Sequence, residues 1–288
     1  MNKYNFAGKI VAISGDVPPK VLDYFEKYKI NDNEKENLKF FIKISDIKEC
    51  DLPLYYTSKN IFVYKYKNTT ITQYGLKVKP RVEILHNEDI TDIKITLTSD
   101  EGKMVSNIEF IYMYIGAYYF YHMALYENAL MLHGSAIKYG NNAILFTAPS
   151  GTGKSTHTRL WKKVFGSIEY INDDKPLIKK VEGEYYAFGT PFSGKEHIDN
   201  NIYAPLRAIV LIERAEKNTI ERIESGSIAR VLTEEIMRTN DNRAVYIKNL
   251  ELLDGLSKNV PIFVLKCNTN IDAVDVVLGE LLKNNLLI

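Results

Sequence analysis

The stretch Ala143-Ile144-Leu145-Phe146-Thr147-Ala148-Pro149-Ser150-Gly151-Thr152-Gly153-Lys154-Ser155-Thr156 decides how this chain is read. It meets the pattern G-x-x-x-x-G-K-[ST] at every position but the first, where Ala148 stands for glycine. An apolar run, Ile144–Phe146, leads in as a strand, and Thr156–Val164 leads out with helical character. Strand, glycine-rich turn and helix in that order predict a phosphate-binding loop. Gly151 and Gly153 let the backbone turn so that successive N–H groups face inward as an anion nest. The helix that follows adds its N-terminal partial positive charge beneath the phosphates. In such a loop Lys154 would bridge the β- and γ-phosphates and Ser155 would ligate Mg²⁺. Ser150, Gly151, Thr152, Gly153, Lys154, Ser155 and Thr156 are therefore the candidate nucleotide-binding set, with ATP and Mg²⁺ as the implied ligands.

A loop of this kind needs a carboxylate for its metal at the end of a neighbouring strand. The candidate is Asn172-Asp173-Asp174-Lys175, at a break between two apolar runs. One carboxylate of the pair could hold the metal while the other accepts the proton of an attacking hydroxyl; spacing alone also fits an exposed turn. His133, where a long helical stretch meets the next strand, is a capping or core histidine or a contact to phosphate or base. Gly189–Lys195 is turn-rich and could deliver Lys195 to the phosphates. Arg207, Arg214 and Arg243 are further cations with nothing to rank them. His86, His157, His197 and Trp161 read as structural or exposed.

Thirty-seven basic residues against 36 acidic give a net charge of +1. That balance argues against a nucleic-acid or anionic-membrane partner and makes any anion site local. Cys50 and Cys267 are far apart and lack metal-ligand spacing, and Met1–Asn5 has no signal-peptide character, so the expected location is cytoplasmic. The uncharged run Phe110–Tyr126 is shorter than the roughly 20 apolar residues of a spanning helix and carries many tyrosine hydroxyls. It reads as a buried core helix.

The fold class expected is α/β. Residues 1–105 read as β-rich, with strands at Lys9–Ser14, Phe40–Ile44, Ile61–Tyr66, Thr69–Leu76, Arg81–Leu85 and Ile93–Thr98 in an antiparallel meander, and a helix over Val21–Tyr28. The boundary is placed within Ser99–Ser106. Residues 106–288 read as a nucleotide domain opened by a helix over Asn107–Leu132. Further strands are expected at Ile209–Ile212 and Ile262–Leu265, and helices at Ile228–Met237 and Ala273–Leu282.

In order and approximate spacing, His133-Gly134, Pro149–Thr156 and Asp173-Asp174 resemble the bacterial HPr kinase/phosphorylase group. Its distant relatives are the ATP-dependent phosphoenolpyruvate carboxykinases. The resemblance covers Met131–Lys195 best. It implies a phosphate-loop core of the HPr kinase/phosphoenolpyruvate carboxykinase type; the β-rich region that precedes it, which does not resemble the N-terminal domain of those kinases, is expected from its architecture to serve as a substrate platform. It implies Asp173 as base and Asp174 on the metal, with the reverse order left open, and His133 beside them. The implied activity is an ATP- and Mg²⁺-dependent serine-type kinase acting on a peptide, protein or small molecule, with assembly into an oligomer. The Glu-x-Arg-Gly segment of those kinases is absent, and Gly189–Lys195 occupies about that place. Two other classes stay open: a carboxykinase-like or hydrolytic enzyme, and a nucleotide-regulated peptide-binding module without turnover.

Overall fold

The computed structural model describes residues 1–31, 34–99, 104–149, 151–194, 196–223, 232–236 and 242–287. The chain divides into two units, Met1–Tyr126 with Thr239–Val245, and Glu127–Arg238 with Tyr246–Ile288. Both are mixed α/β with a large sheet.

The first unit holds β1 (Asn2–Phe6), β2 (Lys9–Gly15), β3 (Lys29–Ile30), β4 (Leu38–Ile44), β5 (Leu54–Ser58), β6 (Ile61–Tyr66), β7 (Thr69–Leu76), β8 (Lys79–Asn87) and β9 (Asp92–Leu97). Their order in the sheet is β3-β1-β2-β4-β9-β8-β7-β6-β5. From β6 to β9 this is the antiparallel meander the sequence predicts, and β5 is an edge strand the sequence reading did not include. The β2–β4 and β4–β9 pairs are parallel, which the meander expectation did not include. In β4 the pleat is read directly: Leu38, Phe40 and Ile42 are buried while Lys39, Phe41 and Lys43 face out. The helix expected over Val21–Tyr28 is instead α1 (Pro19–Asp23) followed by a single 3₁₀ turn, Glu26–Tyr28.

The long helix α2 spans Met104–Glu127 rather than Asn107–Leu132. Asn128 adopts a left-handed backbone, φ 51°, which ends it. The next residues are recruited as a strand. The aromatic face of α2 belongs to the first unit: Tyr119 packs edge-on against Phe6 and donates to its carbonyl at 2.9 Å, and Tyr118 meets His86. This packing puts the division at Tyr126/Glu127 instead of at residues 105/106. Among the described residues no helix is long and apolar enough to cross a membrane.

The second unit contains β10 (Ala129–Met131), β11 (Ser135–Tyr139), β12 (Asn142–Thr147), β13 (Glu169–Asn172), β14 (Leu177–Val181), β15 (Glu184–Phe188), β16 (Tyr203–Arg214), β17 (Thr219–Arg222) and β18 (Ile262–Cys267), with α3 (Lys154–Phe165), α4 (Arg243–Asn259, which belongs to this unit from Tyr246 on) and α5 (Asp272–Lys283). The strand order is β10-β14-β15-β16-β12-β11-β13, and β18 joins β16 and β17. At its centre β16 runs parallel to both β12 and β18. Alternate residues of β12 feed two cores. Ile144 and Phe146 pack with Trp161 of α3 and Val274, Val277 and Leu281 of α5. Ala143 and Leu145 pack with Leu253 and Leu256 of α4. A helix-covered central strand of this kind ends at the glycine loop. Half of the helix expected at Ile228–Met237 falls outside the described residues, Ile236 bridges Leu132 instead, and α4 and the β14–β15 hairpin were not anticipated.

Gly189, after β15, sits where backbone segments crowd. A Cβ there would lie 1.8 Å from the Asn200 carbonyl oxygen and 2.8 Å from that of Ile171. Neither backbone atom can swing aside, and Ile171 belongs to the strand that carries the aspartate pair. Gly189→Ala is expected to destabilise the protein by about 2 kcal/mol or more, read as a lowered urea midpoint. An unchanged midpoint would contradict this packing.

Candidate functional site

The site grows from the ends of β12 and β13 and the starts of β11 and α3. After β12 the chain turns through Gly151 at φ 78° and Gly153 at φ 128°, and α3 starts at Lys154. Both φ values are left-handed conformations that favour glycine. A Cβ at either position would meet nothing within 4 Å, so both glycines border open space. Arg214, at the end of β16, clamps the loop from outside: its Nε donates to the Thr152 carbonyl at 3.0 Å and its Nη2 to the Gly151 carbonyl.

Lys154 is only 8% exposed, and its Nζ donates to the carbonyl of Ala148 at 2.7 Å. Burial lowers its pKa below the ordinary lysine value, against the opposing pull of Glu235, Asp174 and Asp173. The ammonium therefore sits among carboxylates at the root of the loop.

The Asp173 carboxylate joins three elements. Ser135 Oγ, at the start of β11, donates to its Oδ1 at 2.6 Å; Ser155 Oγ, in the first turn of α3, donates to its Oδ2 at 2.9 Å. Its backbone N–H donates to Ile198 at 3.0 Å. Asp174 faces His133 instead, with Nδ1 donating to Oδ1 at 3.0 Å, while Lys175 Nζ contacts Oδ2. Burial pushes the Asp174 carboxyl up, but the His133 hydrogen bond and the Lys175 charge outweigh it and hold it at about 2. His133 is itself fixed by backbone bonds: its N–H donates to Glu235 at 2.7 Å and its carbonyl accepts from Thr147 Oγ1 at 2.8 Å.

The fully buried Asn172 shapes the turn that presents the pair. Its Oδ1 accepts from the backbone N–H groups of Asp174 at 2.8 Å and Lys175 at 2.6 Å, and its Nδ2 donates to the Thr190 carbonyl at 2.8 Å. This is an Asx turn. It fixes the direction in which the two carboxylates diverge.

Of the residues singled out in the sequence, His133, Lys154, Ser155, Asp173 and Asp174 come together. Gly151, Thr152 and Gly153 form the loop, and Thr156 lines a cavity beside it. Ser150 and Lys195 lie outside the described residues. Gly194 comes close to Asp174, since a Cβ there would stand 3.6 Å from the Asp174 Cβ. Arg207 is committed to Asn142 and Glu184, and Arg243 is the first residue of α4, in the short part of that helix assigned to the first unit. Sequence reasoning missed Ser135 and Asn172. The signal for Asn172 was the Asn-Asp-Asp run itself, whose leading amide is a turn former; nothing in the sequence ties Ser135 to Asp173.

A family model described as SynChlorMet cassette protein ScmC matches residues 98–272. Among solved structures, the Hpr(Ser) kinase/phosphatase from Coxiella burnetii aligns over 54% of this chain and 92% of its own, at 11% sequence identity and a TM-score of 0.32. At that level the likeness carries no argument about the site. No curated protein matches the sequence.

The Asp174 pair has a pH signature. Its folded-state pKa lies below the unfolded value near 4, so it contributes stability above that pH, which is lost as the pH falls toward 2. Asp174→Asn should cost about 2 kcal/mol in urea unfolding at pH 7, and the gap to the parent protein should close between about pH 4 and 2. A cost that does not vary with pH would contradict the ion pair.

Proposed function

We propose, for a chain that belongs to the ScmC family, that the second unit is a phosphate-loop kinase domain which transfers the γ-phosphate of ATP to a serine-type hydroxyl. The observation that carries the reading is the hydrogen bond from Ser155 Oγ to Asp173 Oδ2 at 2.9 Å, beside a lysine buried at the loop. A hydroxyl from the first helical turn and a carboxylate from a neighbouring strand end are the two protein groups such a loop offers to Mg²⁺. The donor set fits that ion: hard oxygens, few of them, with the remaining positions left to phosphate and water. When bound, Mg²⁺ would neutralise charge on the β- and γ-phosphates.

The chain's own groups then divide the work. Ser155 and Asp173 stand on the metal side, the reverse of the order first implied for the aspartates. Lys154 exchanges the Ala148 carbonyl for a phosphate oxygen. Asp174, steadied by His133, orients the acceptor hydroxyl. Its oxygen forms the new bond to phosphorus, the bridging P–O bond breaks, and ADP leaves. The hydroxyl proton passes to the Asp174 carboxylate late in the transfer, as suits a carboxylate held near 2 that is a weak base. Catalysis on this reading is mostly positioning and charge neutralisation.

The acceptor is a hydroxyl of a peptide, protein or small molecule, with the first unit proposed as the surface that presents it. Purified protein with Mg²⁺ and γ-labelled ATP, offered free serine, HPr and peptides encoded nearby, should pass label to one of them. Asp173→Asn and Lys154→Met should each lower the rate by about 10²–10³-fold. Phosphate release with no acceptor labelled would favour a hydrolase, and binding without turnover a nucleotide-gated module.

A further inference from the structure

One margin of the first unit's sheet is β5, Leu54-Tyr55-Tyr56-Thr57-Ser58, which pairs with β6 on one side and, among the described residues, with no strand on the other. Leu54, Tyr55 and Tyr56 are 45%, 64% and 44% exposed. A free sheet edge presents a row of N–H and C=O groups ready to pair, and folded proteins commonly blunt it with a charge or a proline within the strand. The sequence of β5 has neither. The opposite margin, β3, is only two residues long.

The register shows which groups of β5 are open. Ser58 faces Ile61 across the two-residue turn Lys59-Asn60, and the pair that closes such a turn is hydrogen-bonded. Bonded and non-bonded pairs alternate along an antiparallel ladder, so Thr57 turns its backbone N–H and C=O away from β6. Beyond it the register shifts between Leu54 and Tyr56. Tyr55 stands outside the pairing, with Lys65 Nζ 4.2 Å from the centre of its ring.

A second observation says what pairs there. From Leu52 to Val82 the basic residues are Lys59, Lys65, Lys67, Lys77, Lys79 and Arg81, and no acidic residue occurs, in a chain whose net charge is +1. All of these cations are exposed. Among the described residues, Lys77 alone of the set is in an ion pair, with Glu49 at 3.6 Å. Lys59 follows the Ser58 end of β5, and Lys65 lies next to Tyr64, which faces Leu54 at the other end, so cations bracket the strand. At the Lys59 end a cleft of about 620 Å³ opens, with Asp46, Asn60, Leu76, Lys79 and Arg81 among its walls. Two copies of this edge would bring like charges together, whereas an acidic strand is drawn in.

We propose that β5 is a docking edge for an extended acidic peptide, which adds to the sheet beside it. The peptide backbone pairs with the outward groups of β5, its apolar side chains lie against Tyr55 and Tyr56, and acidic residues at its two ends meet Lys59 and Lys65. Nucleic acid, the other polyanion suited to lysines and tyrosines, has no row of amides to match a strand edge. The edge also names the part of the first unit that would present a peptide acceptor. That role rests on the kinase reading; the docking does not.

The test is fluorescence anisotropy of the full chain, without nucleotide, against the labelled peptide Glu-Glu-Val-Thr-Val-Thr-Val-Glu-Glu and its counterpart with lysine for every glutamate. The acidic peptide should bind at least about tenfold more tightly, less so as salt rises, and should slow hydrogen exchange in residues 54–58. Thr57→Pro removes an outward N–H, a change edge strands tolerate, and Lys59→Glu with Lys65→Glu inverts the flanking charge. Each should weaken the acidic peptide by about tenfold or more. Should Thr57→Pro fail to fold, the charge reversal and the exchange measurement decide. Equal affinity for the two peptides, variants that bind as the parent does, or protection confined to other segments would overturn the proposal. So would oligo-dT that binds more tightly than the acidic peptide and protects residues 54–58, or a parent dimer that Thr57→Pro dissociates, since the edge would then belong to nucleic acid or to a second copy. No ATP enters the measurement, so its failure leaves the phosphate-loop reading standing. A protein that binds the peptide and not ATP would lose that reading and keep the docking edge.

Discussion

A single carboxylate organises the second unit around its loop. Asp173 accepts from Ser135 at the start of β11 and from Ser155 in the first turn of α3, while its own backbone is tied to Ile198. Strand, helix and the segment after Gly189 therefore meet at one ionised group. A carboxylate drawn partly out of water needs polar partners, and here two hydroxyls and the nearby Lys154 ammonium supply them. Movement of β11 or of α3 would strip a hydrogen bond from that carboxylate. The register of α3 against the sheet, and with it the position of the glycine loop, follows from keeping Asp173 satisfied.

The two adjacent aspartates show how neighbouring residues of one type are given different environments. Asp173 is surrounded by hydroxyls, Asp174 by a histidine and a lysine. The divergence is set by Asn172, whose side-chain oxygen accepts from the backbone N–H groups of Asp174 and Lys175 and bends the chain at the pair. Its amide nitrogen is anchored on Thr190, so the bend is referred to the buried interior and not to a solvent loop. Environment, rather than residue identity, separates their chemistry.

How much of this was legible in the sequence depends on the range over which each interaction acts. The glycine loop was, because its logic is local: strand, φ-permissive residues and helix occur in one unbroken stretch. The strands β6 to β9 were similarly readable, as β-branched and aromatic runs between polar turns, whereas the exposed β5 was not. The end of α2 was not, since the apolar pattern runs on through Leu132 and only the left-handed Asn128 stops it. The parallel pairing of β2, β4 and β9 is a choice between distant segments that no local pattern encodes. In the site, His133 and the aspartates were found as a motif. Ser135 and Arg214 enter through contacts across 38 and 62 residues of chain, which sequence spacing does not reveal.

Arg214 has an effect on the loop that reaches beyond the two bonds it makes. In a planar trans peptide the carbonyl and the following N–H point in opposite directions. By holding the carbonyl of Thr152 on the outside, Arg214 fixes the plane of the Thr152–Gly153 peptide and turns the Gly153 N–H the other way. Gly153, with no side chain to restrain it, would otherwise be among the most freely rotating residues in the loop. The guanidinium thus removes orientational entropy from a segment whose glycines were needed for shape and not for motion. On the proposed reading, an anion arriving there would meet a dipole already aimed, and the cost of ordering the backbone would have been met during folding rather than during binding.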